Sequence, residues 1–153
     1  MNLNAAILFL AAIVPPANAP APGVCALITR QEAAAALGAK VPAGSEMQWD
    51  FPVEQGRSMK ANSCFYGTEV ILTRIELGAN AARLFGQYRQ SLTSKSDYKD
   101  VKGVGDEAFI AKGQLAIRKG LTGIIVDVGQ ARGGGAPELQ KEKSLGVLAV
   151  GRM

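Results

Sequence analysis

Three apolar segments in the second half of the chain are joined by turns too short for any but an antiparallel arrangement. They read EAFIAK, QLAIRKG and LTGIIVDVG, and they are separated at Gly113 and at Lys119-Gly120. Parallel neighbours need a crossover of a dozen or more residues, whereas short glycine-containing connections are typical of hairpins. The segments therefore predict consecutive antiparallel strands that form one sheet.

The first half of the chain repeats this pattern. NSCFYG and EVILTRIEL are separated by little more than Gly67 and Thr68, which predicts a second antiparallel hairpin. EMQWDF, in which alternate residues are apolar, predicts one more strand before it.

The segment ITRQEAAAALG carries start and stop signals for a helix. Thr29 is placed to cap its first turn, Glu32 follows three residues later to complete a capping box, and Gly38 suits the left-handed position that ends a helix. The sequence therefore predicts a short helix just after Cys25.

Two further helices are predicted. Asn80 is placed to cap AARLFGQYRQSL, in which Leu84, Phe85 and Tyr88 lie on one stripe. An amphipathic helix begins at Pro137, a residue suited to the first helical position. The resulting order, αβββαβββα, predicts an α+β fold: an antiparallel sheet with helices packed on one face.

The N-terminus is typical of an export signal. Ala5 to Val14 is an uninterrupted apolar run, too short to span a bilayer, and Ala17-Asn18-Ala19 fits the small-residue pattern at a cleavage site. We expect residues 1–19 to be a signal peptide and residues 20–153 to be a single domain. Two features leave an uncleaved anchor or a misplaced start codon as alternatives: residues 1–4 contain no Lys or Arg, and Pro20 follows the expected cleavage site.

Cys25 and Cys64, the only cysteines, have few roles available. Val24 stands where a lipoprotein signal needs a small residue, and the chain has no histidine to complete a zinc site or activate a thiol. Two cysteines in an exported domain usually form one disulfide, which we predict here; two buried free thiols are the alternative.

Five segments of the chain resemble a family of small exported bacterial proteins and lipoproteins of unknown function that is widespread in actinobacteria. The segments are CALITRQEAAAALGAKV, SCFYG, VKGVGDEAFI, LAIRKG and IIVDVG. The resemblance implies an α+β fold, an envelope location and a cysteine pair placed as in this chain, and it supplies no catalytic residues.

One loop has the composition of an anion site. Arg132 and the glycines Gly133, Gly134 and Gly135 precede the last helix, so bare backbone N–H groups and a positive charge stand near a helix N-terminus. A plain surface connector is the alternative, since glycine runs are common in linkers.

Two other motifs indicate structural roles and not ligand binding or catalysis. Gly103 and Gly105 precede a strand, whereas a dinucleotide-binding loop precedes a helix, so they indicate a tight turn. The adjacent Asp106 and Glu107 are expected on opposite sides of that strand, where they cannot act as an acid and base pair.

Four aromatic residues at strand spacing form either a binding platform or part of the core. They are Trp49, Phe51, Phe65 and Tyr66, and residues of these types are more often buried.

The sequence predicts an exported, non-enzymatic binding or interaction module, periplasmic or secreted, whose partner is an unknown protein or envelope component. No catalytic residue, metal site or cofactor is predicted. The net charge of +4 is spread along the chain without a basic cluster, so we expect no nucleic-acid partner, and no stable membrane insertion after signal cleavage. An enzyme of low motif content and an inhibitor of an exported hydrolase are the alternatives.

Overall fold

The computed structural model describes residues 22–53, 56–129 and 136–153. The predicted signal peptide, residues 1–19, lies outside them. In the described part of the chain the helices are α1 (Arg30–Leu37), α2 (Ala81–Leu92) and α3 (Ala136–Gly151), with short 3-10 helices at Val24–Ala26 and Gly78–Asn80. The strands are β1 (Ser45–Pro52), β2 (Ser58–Tyr66), β3 (Val70–Glu76), β4 (Lys99–Val101), β5 (Glu107–Ala111), β6 (Gln114–Lys119) and β7 (Thr122–Val128).

These seven strands form one antiparallel sheet in the order β1-β2-β3-β7-β6-β5-β4. Strands β1 to β3 pair in chain order, as do β4 to β7, because connections of two to five residues join them. Pairing of β3 with β7, with Val70 opposite Val128 and Leu72 opposite Val126, unites the two groups. The predicted α+β class, with an antiparallel sheet and helices packed on it, is confirmed.

One strand was missing from the predicted order. β4, Lys99–Val101, lies between α2 and β5, where the predicted order has no strand, and it pairs with β5 at the edge of the sheet. Its first two residues are exposed and its third is half-buried, so no hydrophobic alternation announces it. The free edge of β5 supplies the backbone partners that make it a strand.

The helices divide between the two faces of the sheet, whereas the sequence led us to expect all of them on one. Leu145 and Ala149 of α3 share a core with Leu72 of β3 and Val126 of β7; we call this the α1/α3 face. Phe85 of α2 packs on the opposite face, hereafter the α2 face. The continuous apolar run of β7 reflects this, since a strand covered on both faces needs apolar residues on both.

The capping box of α1 forms as predicted. The Glu32 backbone N–H donates to the Thr29 hydroxyl at 3.2 Å, and the Thr29 backbone N–H donates to the Glu32 carboxylate at 2.7 Å. Gly38 ends the helix in the left-handed region, at φ +73°. The Arg152 guanidinium also donates to Glu32, at 2.6 Å, and thereby ties the end of α3 to the start of α1.

Asn80 does not act as predicted. It precedes α2, but its side chain makes no capping hydrogen bond. It is part of the 3-10 helix Gly78–Asn80, so its backbone lacks the extended conformation of a capping residue.

The predicted disulfide between Cys25 and Cys64 is confirmed, with the two Cα atoms 5.0 Å apart. It joins the segment before α1 to β2. The Tyr66 hydroxyl lies within hydrogen-bond distance of the carbonyl oxygens of Cys25 and Ile28, so the same segment is held at a second point. A Cβ on Gly44 would lie 2.8 Å from the Cys64 sulfur and 2.9 Å from that of Cys25, so no side chain fits there.

Gly105 occupies the predicted tight turn, at φ +62°. The carboxylate of the next residue, Asp106, accepts a hydrogen bond from the Gly120 backbone N–H at 2.7 Å. It also forms an ion pair with Arg118 at 3.2 Å. Glu107 contacts the same guanidinium at 3.4 Å. The expectation that the two carboxylates face opposite sides was wrong, because Asp106 precedes β5 and strand alternation does not apply to it.

Candidate functional site

An apolar cleft of about 240 Å³ lies between α2 and the sheet. Residues of α2 form its roof, and its floor and walls come from β1, β3, β6 and β7. Three aromatic contacts show why the helix does not close on the sheet there.

Aromatic rings support α2 on two sides. On the β5 side, the ring centroids of Phe85 and Tyr88 lie 5.4 and 5.8 Å from that of Phe109. On the β1 side, the ring of Tyr88 makes an edge contact with Phe51 at 5.6 Å. Between these supports the floor includes two small residues. Ala116 leaves space under the helix unfilled, and Gly123 lies beneath the Leu77 side chain, whose Cδ1 atom would be 3.2 Å from a Cβ at that position.

The wall at β1 is itself fixed by a buried polar chain. Trp49 packs against Phe51 at 5.6 Å, and its indole N–H donates to the Ser63 hydroxyl at 2.8 Å. That hydroxyl lies 2.7 Å from the hydroxyl of Thr73, and both are buried. These groups satisfy one another and position the aromatic wall, and the described hydrogen-bond partners of Ser63 include no base that could activate it.

Ionisable groups are scarce in the lining of the cleft. Tyr88 is the only one among the described lining residues, and burial raises the pKa of its phenol, which is therefore neutral at physiological pH. Gln87 and Ser91 are the polar lining residues, and the Ser91 hydroxyl donates to the Tyr88 carbonyl at 2.7 Å. The cleft is therefore apolar and uncharged.

The four aromatic residues proposed as a platform do not act together. By strand alternation Trp49, Phe51 and Phe65 share the α2 face, whereas Tyr66 points to the α1/α3 face and is buried, at 2% exposed. Only Phe51 lines the cleft.

The predicted anion site, Arg132 with Gly133, Gly134 and Gly135, lies outside the described residues and stays a prediction. Within the described ranges, no group of three or more His, Cys, Asp or Glu side chains is arranged to hold a metal ion. No helix in those ranges is both long and apolar enough to cross a membrane.

Sequence reasoning missed the cleft, although parts of its signal were visible. The Phe85 and Tyr88 stripe was recognised as the buried side of α2. Ala116 and Gly123 are small residues inside apolar strands, and a glycine in a strand often marks the close approach of a ligand or of another segment. That these positions lie under one helix depends on the pairing of β6 with β7.

No family model, curated protein or solved structure matches this chain. The cleft and its surroundings therefore carry the functional argument.

Proposed function

We propose that this protein is an exported, non-enzymatic binding protein that accepts the apolar part of a small amphipathic ligand in the cleft under α2. The observation that carries the proposal is the uncharged, aromatic-walled space of about 240 Å³ between a helix and a sheet.

The size of the cleft suits part of a ligand. An apolar cavity of about 150 Å³ accommodates benzene, and complete sites for drug-sized ligands measure roughly 300 to 1,000 Å³. A space of about 240 Å³ suits one substituted ring or a short alkyl segment, with the rest of the ligand outside.

The distribution of polarity supports an amphipathic ligand. An ionised group inside the cleft would lose its hydration without finding an opposite charge, because the described lining offers none. Gln87 and Ser91 offer hydrogen-bonding partners for a polar part of the ligand. Each methylene group transferred from water to such a site contributes about 0.8 kcal/mol.

Export is supported by two features. The disulfide between Cys25 and Cys64 is the kind of bond that persists in oxidising compartments. The apolar run from Ala5 to Val14, followed by small residues, has the pattern of a signal peptide. Together they favour a periplasmic or secreted location.

Binding ranks ahead of the two alternatives. An enzyme would need a nucleophile or an acid and base pair beside the ligand, and the described lining supplies only the neutral phenol of Tyr88. An inhibitor of a hydrolase would act through an exposed surface and would not require a cavity.

Fluorescence tests the proposal directly. Trp49 is the only tryptophan and packs against the cleft wall, so energy transfer from it to the neutral apolar probe N-phenyl-1-naphthylamine reports occupancy. We expect saturable binding to the wild type and at least tenfold weaker binding to Ile125→Phe, since Ile125 lines the cleft.

Ile110→Phe is the matched control, because it makes the same change at a half-buried position of β5 outside the cleft lining. It should bind the probe as the wild type does, with both variants folded by circular dichroism. Equal binding to wild type and Ile125→Phe, or no saturable binding to the wild type, would refute the proposal.

A further inference from the structure

Glu142 of α3 is a buried carboxyl group with an incomplete set of hydrogen bonds. Its exposed fraction is 0%. One carboxyl oxygen accepts the Val128 backbone N–H at 3.3 Å, at the end of β7. The other oxygen is buried and has no hydrogen-bond partner among the described residues. A carboxylate in this position would leave a desolvated negative charge unpaired.

The electrostatic surroundings make that charge still less favourable. Three carboxyl groups act on Glu142: Asp127 of β7, Glu138 one turn earlier on α3, and Asp97 from the segment before β4. Burial is the largest effect, and these acidic neighbours add to it. Together they raise the pKa of Glu142 from its ordinary 4.5 to about 8.

Among the described residues, the cations of the neighbouring elements pair with other groups or lie away from Glu142. On α3, Lys141 pairs with Glu138 at 3.5 Å, and Lys143 lies near the turn at Gly103. On β6, Arg118 and Lys119 pair with Asp106.

On α1, Arg30 donates to the Val41 carbonyl, and Glu32 pairs with Arg152. None of these pairs brings a positive charge to Glu142.

We propose that Glu142 makes the docking of α3 on β7 depend on pH: the helix is held firmly when this carboxyl group carries a proton, and it is released more readily as the proton is lost. The proton-dependent group is part of the contact itself, since Glu142 touches the last residue of β7. The inference is independent of the ligand proposed for the cleft.

The direction of the effect follows from linkage. When α3 opens, Glu142 enters water and regains its ordinary pKa of 4.5, whereas in the docked helix the pKa is about 8. Below about pH 4.5 both forms are protonated, and opening costs the most. From there to about pH 8 the open form ionises while the docked form does not, so opening becomes about tenfold more frequent per pH unit.

The titration of two other carboxyl groups, Asp127 and Glu32, has to be separated from that of Glu142. Burial raises the pKa of Asp127 as well, so its contribution has the same sign. The hydrogen bond from Arg152 lowers the pKa of Glu32 to about 2, so the contact between α1 and the end of α3 changes only under more acidic conditions.

Amide hydrogen exchange between about pH 5 and pH 8 tests the inference, after correction for the intrinsic pH dependence of exchange. We expect protection over residues 138–146 to fall by about tenfold per pH unit in the wild type, while protection in α2 changes much less. In Glu142→Gln the slope over α3 should be nearly flat. Glu76→Gln, a change at an exposed carboxylate of β3, should keep the wild-type slope.

The inference would be overturned by protection of α3 that changes no more than that of α2, or by a Glu142→Gln variant with the wild-type slope. A measurement on the wild type alone guards against a variant that fails to fold. Carbon-13 NMR of the Glu142 carboxyl should show a titration midpoint near 8, and a midpoint near 4.5 would contradict the inference.

Discussion

Replacing Gly105 by alanine tests how tightly the turn before β5 is packed. A Cβ at this position would lie 2.5 Å from the Arg118 carbonyl oxygen and 2.5 Å from the Ile117 Cγ2 atom. The Arg118 oxygen is backbone within β6 and accepts the Asp106 backbone N–H at 2.8 Å, so moving it disturbs a hydrogen bond of the sheet.

Three contributions set the expected loss of stability. The left-handed conformation, φ +62°, costs an alanine roughly 1 kcal/mol. The overlap with β6 costs about 1 to 3 kcal/mol, as in other overpacked sites. Weakening the hydrogen bond to Arg118 adds about 1 kcal/mol. We therefore expect Gly105→Ala to lower the free energy of unfolding by about 3 to 5 kcal/mol.

Gly113→Ala is the matched control. Gly113 has φ +67°, close to that of Gly105, but a Cβ there would meet nothing within 4 Å. It should lose only the conformational part, about 1 kcal/mol. Urea denaturation of both variants, with equal slopes of free energy against urea, measures the difference. Equal losses in the two variants would show that the overlap is relieved at no cost and would refute the reasoning.

Three further predictions concern the disulfide, the α2 core and the α1 capping box. Cys64→Ser should cost about 2 to 4 kcal/mol in urea denaturation, and intact mass before and after reduction and alkylation should show no free thiol in the wild type. Phe85→Ala should cost about 3 kcal/mol or more, since Phe85 is 4% exposed and packs on Phe109; a loss below about 0.5 kcal/mol would place it on the surface. The Glu32 carboxylate, whose pKa Arg152 lowers to about 2, stabilises the fold fully above about pH 4.5 and progressively less as pH falls toward 2. Glu32→Gln should therefore be less stable than wild type at pH 7 and should lose less on acidification, as thermal melts would show; a variant with the wild-type acid dependence would contradict this.

Features decided by neighbouring residues were predictable. The tight connection at Gly113 requires antiparallel strands, and Thr29 and Glu32 satisfy each other's backbone N–H groups within one turn. The disulfide was predictable for a different reason, since only two cysteines exist and no histidine offers them another role.

Local patterns also misled where distant residues competed. Asparagine is a residue type that commonly caps helices, but the chain forms a 3-10 helix at Asn80. Strand alternation predicted that Asp106 and Glu107 would lie on opposite sides of the strand. In the structure both carboxylates contact Arg118, because β5 pairs with β6.

The sequence by itself determined the α+β class, the antiparallel hairpins, the capping box of α1 and the disulfide. The first three follow from residues a few positions apart, and the disulfide follows from the presence of only two cysteines and no histidine. Only the tertiary structure decided that β3 pairs with β7 and that α2 covers the face opposite α1 and α3. The cleft and the burial of Glu142 both depend on that arrangement. Both features form where surfaces distant in the sequence pack together. Which surfaces pack together is decided by the apolar area that the whole chain buries.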